Sequence, residues 1–441
     1  MPLRQASLRH SFLKGIAMAL ALFTASSAAD AQVGKIERLK TPAGIEVWFV
    51  RDDTLPILSI NFAFDGGASQ DPADRAGLAY MTAAMLDEGA GELNAKQFQE
   101  RLERRAISLS YNADRDTFRG TVRVLSEHRD EAFELLRLSL NTPRFEQEAI
   151  DRIRASILAA YKRSLTNPDE VAGLRWFAQA FPNHPYGRAV KGDEKSISGI
   201  ERSMLFDYAK KNLARSNLKI AVVGSIESAE LARLIDHAFA KLPAKAELAV
   251  IPEVKPQSLG RREVVDLNIP QTTITFGGIG LKRKDPDFMP AFVLNHVLGG
   301  GSFSSRLYRE VREKRGLAYS VYSYLATLDH SGMFMGGTST RNDRAAEALQ
   351  IIEEEIVRAQ AKSYLTGSYL LHFDTSAKVA SQLLEIQLQE LGIDYFERRN
   401  KMVNAVSAED VRRAAKRFLA DSKLLVIMVG RPAPLSKSNG G

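Results

Sequence analysis

Two stretches alternate apolar and polar positions with a period of two: GIEVWFVRD over 44–52 and LSINFAFDGG over 58–67. Their β-branched and aromatic content predicts strands, with Asp52-Asp53 as the turn between them. The period then changes. DRAGLAYMTAAMLDE over 74–88 predicts a helix. Asn94 followed three residues later by Gln97 is a capping box, which predicts a second helix to Ala106. Strands follow at Ser108–Tyr111 and Thr117–Leu125. Ser126 then opens a helix to Leu140, and a longer helix covers Phe145–Ser164.

The pattern then repeats. YAKKNLARSNLKIAVVG (208–224) and AAKRFLADSKLLVIMVG (414–430) align without a gap, with Leu213 on Leu419, Ala214 on Ala420, Leu218 on Leu424 and Gly224 on Gly430. Each predicts a helix feeding a buried strand that ends at glycine. Phe62–Gly67 and Ile274–Gly280 repeat in the same way, and each is followed by an Asp-Pro (Asp71-Pro72, Asp285-Pro286). The chain is therefore a tandem duplication of a unit of roughly two hundred residues. The stretch 243–260, with Pro243, Pro252 and Pro256, has the composition of a linker. Mixed strands and helices in each unit predict an α+β fold, with helices on a largely antiparallel sheet and two domains facing a cleft. The division is 32–242, a linker 243–260, 261–433 and a tail 434–441.

Residues 1–31 are set apart from this pattern. A basic leader (Arg4, Arg9, Lys14), a short apolar run GIAMALALFTAS and the small-x-small site Ala29-Asp30-Ala31 predict a secretory signal cleaved before Gln32. The other reading, an interfacial anchor, lacks aromatic or basic residues at the end of the run. Export, and a periplasmic location in a Gram-negative source, is the expectation. No second apolar run reaches the roughly eighteen residues of a membrane span, so no membrane association is expected after cleavage.

Composition narrows the chemistry. The 441 residues include no cysteine, which rules out thiolate metal sites, cysteine nucleophiles and disulfides. The net charge is +7, but acidic and basic residues are interleaved, as in Arg309, Glu310, Arg312, Glu313, Lys314 and Arg315. That is a solvated surface rather than a phosphate-tracking stripe, so nucleic acid is not an expected partner. The seven histidines (His10, His128, His184, His237, His296, His330 and His372) include no pair spaced three or four apart. No helical zinc pair is available to them. His296, on the apolar run AFVLNHVLG, reads as a core histidine.

One stretch combines several signals: LGGGSFSSRLYREVREKRGLAYSVYS, residues 298–323. Gly299, Gly300 and Gly301 permit close backbone approach. Ser302 and Ser304 are candidate caps for a helix from Arg306 to Lys314, and Gly316 stands where a helix ends in a left-handed residue. Arg312, at the helix end, and Tyr319, at the following strand's start, are placed to reach one space. On these residues alone Arg312 reads as a surface ion-pair partner and Tyr319 as core.

Four stretches together resemble the pitrilysin/insulinase family of zinc metallopeptidases: GGASQDPADRAGLAYMTAAMLDEGAG (66–91), FPNHPYGRAVKG (181–192), LGGGSFSSRLYREVREKRGLAYS (298–320) and VSAEDVRRAAKRFL (406–419). Active members carry the inverzincin motif H-x-x-E-H, two histidines as zinc ligands and a glutamate as general base. By resemblance, Tyr80 stands at the first histidine, Ala83 at the glutamate and Ala84 at the second histidine. Ala160 stands at the third ligand. Alanine offers a metal no lone pair, so no metal and no cofactor are expected in this chain.

The family also places an arginine and a tyrosine across the cleft, and these fall on Arg312 and Tyr319. By resemblance they bind the substrate or the transition state, and the glycine-rich loop Gly299, Gly300, Gly301 with Ser302 contacts substrate. A chain that keeps this pair and lacks the metal ligands resembles the non-catalytic subunit of two-chain members, such as the alpha-type subunit of mitochondrial processing peptidase. The resemblance therefore implies a heterodimer with a homologous H-x-x-E-H chain that holds the zinc, acting on a peptide substrate. The family's other precedent is structural, in the core subunits of the respiratory bc1 complex. It implies a periplasmic scaffold or peptide-binding protein with no proteolytic role.

Overall fold

The computed structural model describes residues 34–361, 375–418 and 423–433. The leader 1–31 and the tail 434–441 lie outside them. Six strands form the first sheet: β1 (Ile36–Lys40), β2 (Glu46–Arg51), β3 (Ile57–Asp65), β4 (Ser108–Ala113), β5 (Thr117–Leu125) and β6 (Leu218–Gly224). Five form the second: β7 (Arg262–Val265), β8 (Gln271–Ile279), β9 (Ala318–Leu328), β10 (Ser331–Arg341) and β11 (Leu425–Val429). The spatial orders are β1-β2-β6-β3-β5-β4 and β7-β11-β8-β10-β9. With β1 set aside, the two orders correspond strand for strand. Each sheet has one parallel pair at the same place, β2 with β6 and β7 with β11, and is otherwise antiparallel. The α+β class and the duplication read from the sequence are both present.

The helices follow the pattern with local adjustments. The Asn94–Gln97 capping box forms, with bonds of 2.9 and 3.0 Å, and opens the helix Ala95–Arg104. The first helix runs only from Leu78 to Met85, because the Asp71 carboxylate accepts from the Gly77 and Ala79 amides at 2.8 and 2.9 Å and fixes its start. The helix expected from Phe145 begins at Gln147, since Phe145 has a φ of 43°, outside helical space. Ser126 opens a single 3-10 turn before the helix Arg129–Asn141.

Each sheet is covered on both faces. In the first, Phe62, Phe64 and Phe118 point inward to Phe133 and Phe239 on the helices of their own half. On the opposite face Trp48, Val50, Ala63, Ala221 and Val223 meet Leu383, Leu384 and Ile386, from the helix Ser376–Leu388 of the second half. The exchange is reciprocal. The helix Pro168–Ala180 of the first half lays Ala172, Trp176 and Ala180 on Met333, Met335, Leu425 and Ile427 of the second sheet. The buried Trp176 Nε1 donates to the Leu425 carbonyl at 3.1 Å. Double coverage explains why all seven central residues of β3 are buried, Ser59 and Asn61 among them, although its sequence alternates.

Further ties join the halves. Asp116, at the β4–β5 turn, accepts from the Tyr186 hydroxyl at 2.6 Å and from the Asp329 amide of the β9–β10 turn at 3.0 Å. The proline-rich stretch 243–260 has no helix or strand but is pinned to both halves, Val254 N–H to His330 O at 3.0 Å and Gln257 N–H to Ala180 O at 2.8 Å. Among the described residues no helix is long and apolar enough to cross a membrane.

Candidate functional site

Tyr80, Ala83 and Ala84 lie on the helix Leu78–Met85, whose start is anchored by Asp71. Ala83 is buried, while Tyr80 and Ala84 are half-buried. Tyr80 and Ala160 line one cavity of about 670 Å³ in the first half, together with Arg115, Phe177 and Lys191. The structure thus brings Tyr80 and Ala160 to the wall of one cavity. Their side chains do not fit zinc: one phenol and three methyl groups stand where imidazoles and carboxylates are needed. Among the described residues no group of three or more His, Asp or Glu converges on a metal position.

Arg115 and Phe177 shape this cavity and had no signal in the sequence, because they come from segments far apart in the chain. The Arg115 guanidinium stands 3.5 Å from the Phe177 ring centroid, and its Nε donates to the Tyr186 carbonyl at 3.1 Å. Burial lowers its pKa to about 10, so it stays charged at neutral pH.

Burial pushes the Asp71 carboxyl up to about 7, against the amides of Ala79 and Gly77 and the charge of Arg188, which favour ionisation. A carboxyl raised in this way contributes stability that is complete below about pH 4 and is lost as pH rises through about 7. Wild-type stability is expected to fall between pH 4 and 8 relative to Asp71→Asn, by on the order of 4 kcal/mol. Chemical denaturation of both proteins across that range checks it. A constant difference would show that Asp71 does not titrate there.

Arg312 and Tyr319 occupy the second half. The helical segment from Arg306 ends through Gly316, whose φ of 58° is the left-handed conformation expected. Two bonds close the end, Gly316 N–H to Arg312 O and Leu317 N–H to Val311 O, each 2.9 Å. The cap is supplied by Ser305, whose hydroxyl accepts weakly from the Tyr308 amide at 3.4 Å, rather than by Ser304. The Ser304 hydroxyl turns back to the Gly301 carbonyl at 2.8 Å. The last turns, Tyr308–Glu313, are wide, of the π type.

This geometry delivers both side chains to one space. The Arg312 guanidinium carbon lies 4.7 Å from the Tyr319 ring centroid and 4.8 Å from that of Tyr308, and it donates to the Tyr308 hydroxyl. Tyr308 was missed in the sequence, although its spacing of four from Arg312 is that of helix neighbours. Tyr319 is 82% exposed, so its assignment to the core is corrected: it leaves the strand on the solvent side. The surface ion pair expected for Arg312 is also absent among the described residues. The nearby acid is taken: Glu310 accepts from Lys314 and Arg315 at 2.8 and 2.9 Å, which holds its carboxyl down at about 2. Arg312 is left as a cation clamped by phenols.

Gly299, Gly300 and Gly301 do not form an open loop. The apolar helix Phe288–Asn295 continues into a π turn, His296–Gly300, packed against β9. A Cβ on Gly299 would lie 2.3 Å from Ser323 Oγ and 2.7 Å from its amide nitrogen. Gly299→Ala is expected to cost about 1–3 kcal/mol through this overlap. A denaturation midpoint equal to wild type would refute the close-approach role. Gly300 is exposed, Gly301 is half-buried, and Ser302 lies in a 3-10 turn, Ser302–Ser304. His296 is half-buried on the wall of a second cavity, which corrects its core assignment. His184 is structural: its Nδ1 accepts from the Tyr186 amide and its Nε2 faces the Pro252 carbonyl, both at 3.1 Å.

Residues 47–194 match the family profile described as Insulinase (Peptidase family M16), and residues 199–366 match that of the Peptidase M16 inactive domain. The chain belongs to peptidase family M16. This M16 chain is 29% identical over 372 residues to a non-peptidase homolog of Helicobacter pylori, covering 82% of this chain and 85% of that protein. It is 23% identical over 416 residues to a probable mitochondrial-processing peptidase subunit beta of Arabidopsis thaliana, covering 88% of this chain and 77% of that one. In structure it is similar to a peptidase M16 inactive domain from Pseudomonas fluorescens, with a TM-score of 0.82, 27% identity and coverage of 91% and 99%. The inactive-domain profile and the likeness to a non-peptidase homolog support a non-catalytic M16 chain.

Proposed function

We propose that this chain is the substrate-binding subunit of an exported heterodimeric zinc endopeptidase acting on peptides or unfolded segments. The observation that carries the reading is the Arg312–Tyr319 pair. An arginine without a carboxylate partner among the described residues, stacked 4.7 Å from a tyrosine that is 82% exposed, costs solvation and side-chain freedom and contributes little to the fold. Such a pair suits a surface that receives a carbonyl or an oxyanion from outside the chain. A homologous H-x-x-E-H chain would supply zinc, water and general base. This chain would supply the Arg312 and Tyr319 donors and part of an enclosing wall. The edge of β9, which has no second strand beside it among the described residues, would offer backbone groups to an extended peptide. The leader 1–31 supports export to a periplasm.

The test uses the purified mature chain, alone and mixed with an exported H-x-x-E-H homologue encoded beside it. Zinc content and cleavage of a quenched peptide are measured for each. The expected result is neither zinc nor cleavage for this chain alone, with cleavage in the mixture above that of the partner alone. Chelator-sensitive cleavage by this chain alone would overturn the reading. Silence in every combination would favour a scaffold.

A further inference from the structure

A second cavity, of about 350 Å³, opens in the C-terminal half between the helix Phe288–Asn295, strand β9 and the helix Tyr395–Asn404. Its charged walls are unusual. Arg283, His296 and Arg399 line it, and among the described residues no aspartate or glutamate does. Arg399 is only 7% exposed. The remaining wall is aromatic and neutral-polar, with Phe288, Phe292, Tyr324 and Tyr395 beside Ser323 and Gln389.

Arg283 is held in a fixed plane. Its guanidinium carbon lies 4.4 Å from the Phe288 ring centroid and 5.2 Å from that of Tyr395. Its Nε donates to Gln389 Oε1 at 2.9 Å, and an Nη donates to the Tyr395 hydroxyl. Both partners are neutral. A guanidinium carries five N–H donors, so three remain without a protein acceptor among the described residues. Burial lowers its pKa, and the neighbouring Arg399 charge adds to that. Two partly desolvated guanidiniums facing one cavity repel each other, and an anion beside Arg283 would relieve the repulsion and give its three open donors acceptors.

We propose that this cavity binds a carboxylate carrying an aromatic or apolar body, with Arg283 and Arg399 taking the carboxylate and Phe292 and Tyr324 flanking the body. The fork of Arg283, clamped between two rings, matches a carboxylate's paired oxygens. The aromatic walls favour a ligand that is apolar beyond its charged end. The same chemistry is offered by a small aromatic acid and by the C-terminal residue of a peptide. The site requires neither the partner chain nor zinc, so it stands apart from the heterodimer reading.

Calorimetry on the full mature chain tests it with four probes: N-acetyl-phenylalanine, its carboxamide, and Gly-Gly-Phe with a free or an amidated C-terminus. Wild type should bind at least one free acid at least tenfold more tightly than the matching amide. Binding by the free peptide alone would identify a peptide C-terminus as the source, and binding by both acids would leave the site open to small molecules. Arg283→Gln should abolish the preference for acid over amide. Arg283→Lys keeps the charge, tests the fork if the glutamine variant does not fold, and should weaken acid binding several-fold. Equal binding of acid and amide, no binding of either acid, or an acid preference that survives in Arg283→Gln would overturn the proposal.

Discussion

Trp176→Ala is expected to destabilise the whole chain by about 4 kcal/mol, in one cooperative unfolding transition rather than two. Trp176 is fully buried, yet it belongs to the first half and packs on Leu425 and Ile427 of the second. Truncation leaves a large cavity between Met335 and Leu425 and removes the Nε1 hydrogen bond to the Leu425 carbonyl. Both penalties fall on the sheet of the other half. Were the halves independent units side by side, the loss would appear in one transition only. Fluorescence and circular dichroism melts, with differential scanning calorimetry, decide between the outcomes. Two separated transitions in the variant would show that the exchanged helices do not couple the halves.

The second large effect concerns turnover. In the proposed heterodimer with an H-x-x-E-H chain, Arg312→Ala is expected to lower kcat/KM for peptide cleavage by about 10²–10³-fold, the range for loss of one donor to developing oxyanion charge. Assembly should be unaffected, because the hydrogen-bond and ring partners of the Arg312 side chain among the described residues are Tyr308 and Tyr319 of this same chain. Tyr319→Phe keeps the ring that faces the guanidinium and removes the hydroxyl, so it separates stacking from hydrogen bonding. If it matches wild type while Arg312→Ala is impaired, the tyrosine acts by positioning the arginine. Steady-state kinetics and size-exclusion chromatography on the same preparations measure both quantities. Full turnover by the assembled double variant would remove the pair from the mechanism.

Much of the fold was legible because it is local or repeated. Alternation marked β2, β3 and β5, and the Asn94–Gln97 spacing marked a cap that forms. The ungapped match of 208–224 with 414–430 announced that β6 and β11 are equivalent. Gly316 was legible because a helix end that needs a left-handed residue selects glycine. The exchange of helices was not. An amphipathic helix such as Ser376–Leu388 declares that it has an apolar face but not which sheet will cover it. For the same reason Arg115 over Phe177 could not be foreseen: their meeting depends on the path of the chain between them. Arg312 and Tyr319 were found from a resemblance. Their stacking, with Tyr308 as the second ring, was set by wide π turns that a regular helical reading of Tyr308–Glu313 does not contain.

The reciprocal helices carry a historical consequence. Pro168–Ala180 crosses onto β8 and β11, and Ser376–Leu388 crosses onto β3 and β6, which are the corresponding strands of the other repeat. That arrangement has the symmetry of a swapped homodimer whose two copies were later fused head to tail. Gene fusion makes such a union independent of concentration, since the donated helix can no longer diffuse away. It also frees the two copies to diverge, so that one can keep the Arg312–Tyr319 pair while the other does not. On this view a half-length chain should still seek a second copy of itself. Sedimentation of residues 34–242 would show a dimer if the ancestry is right and a monomer if the exchange arose after the fusion.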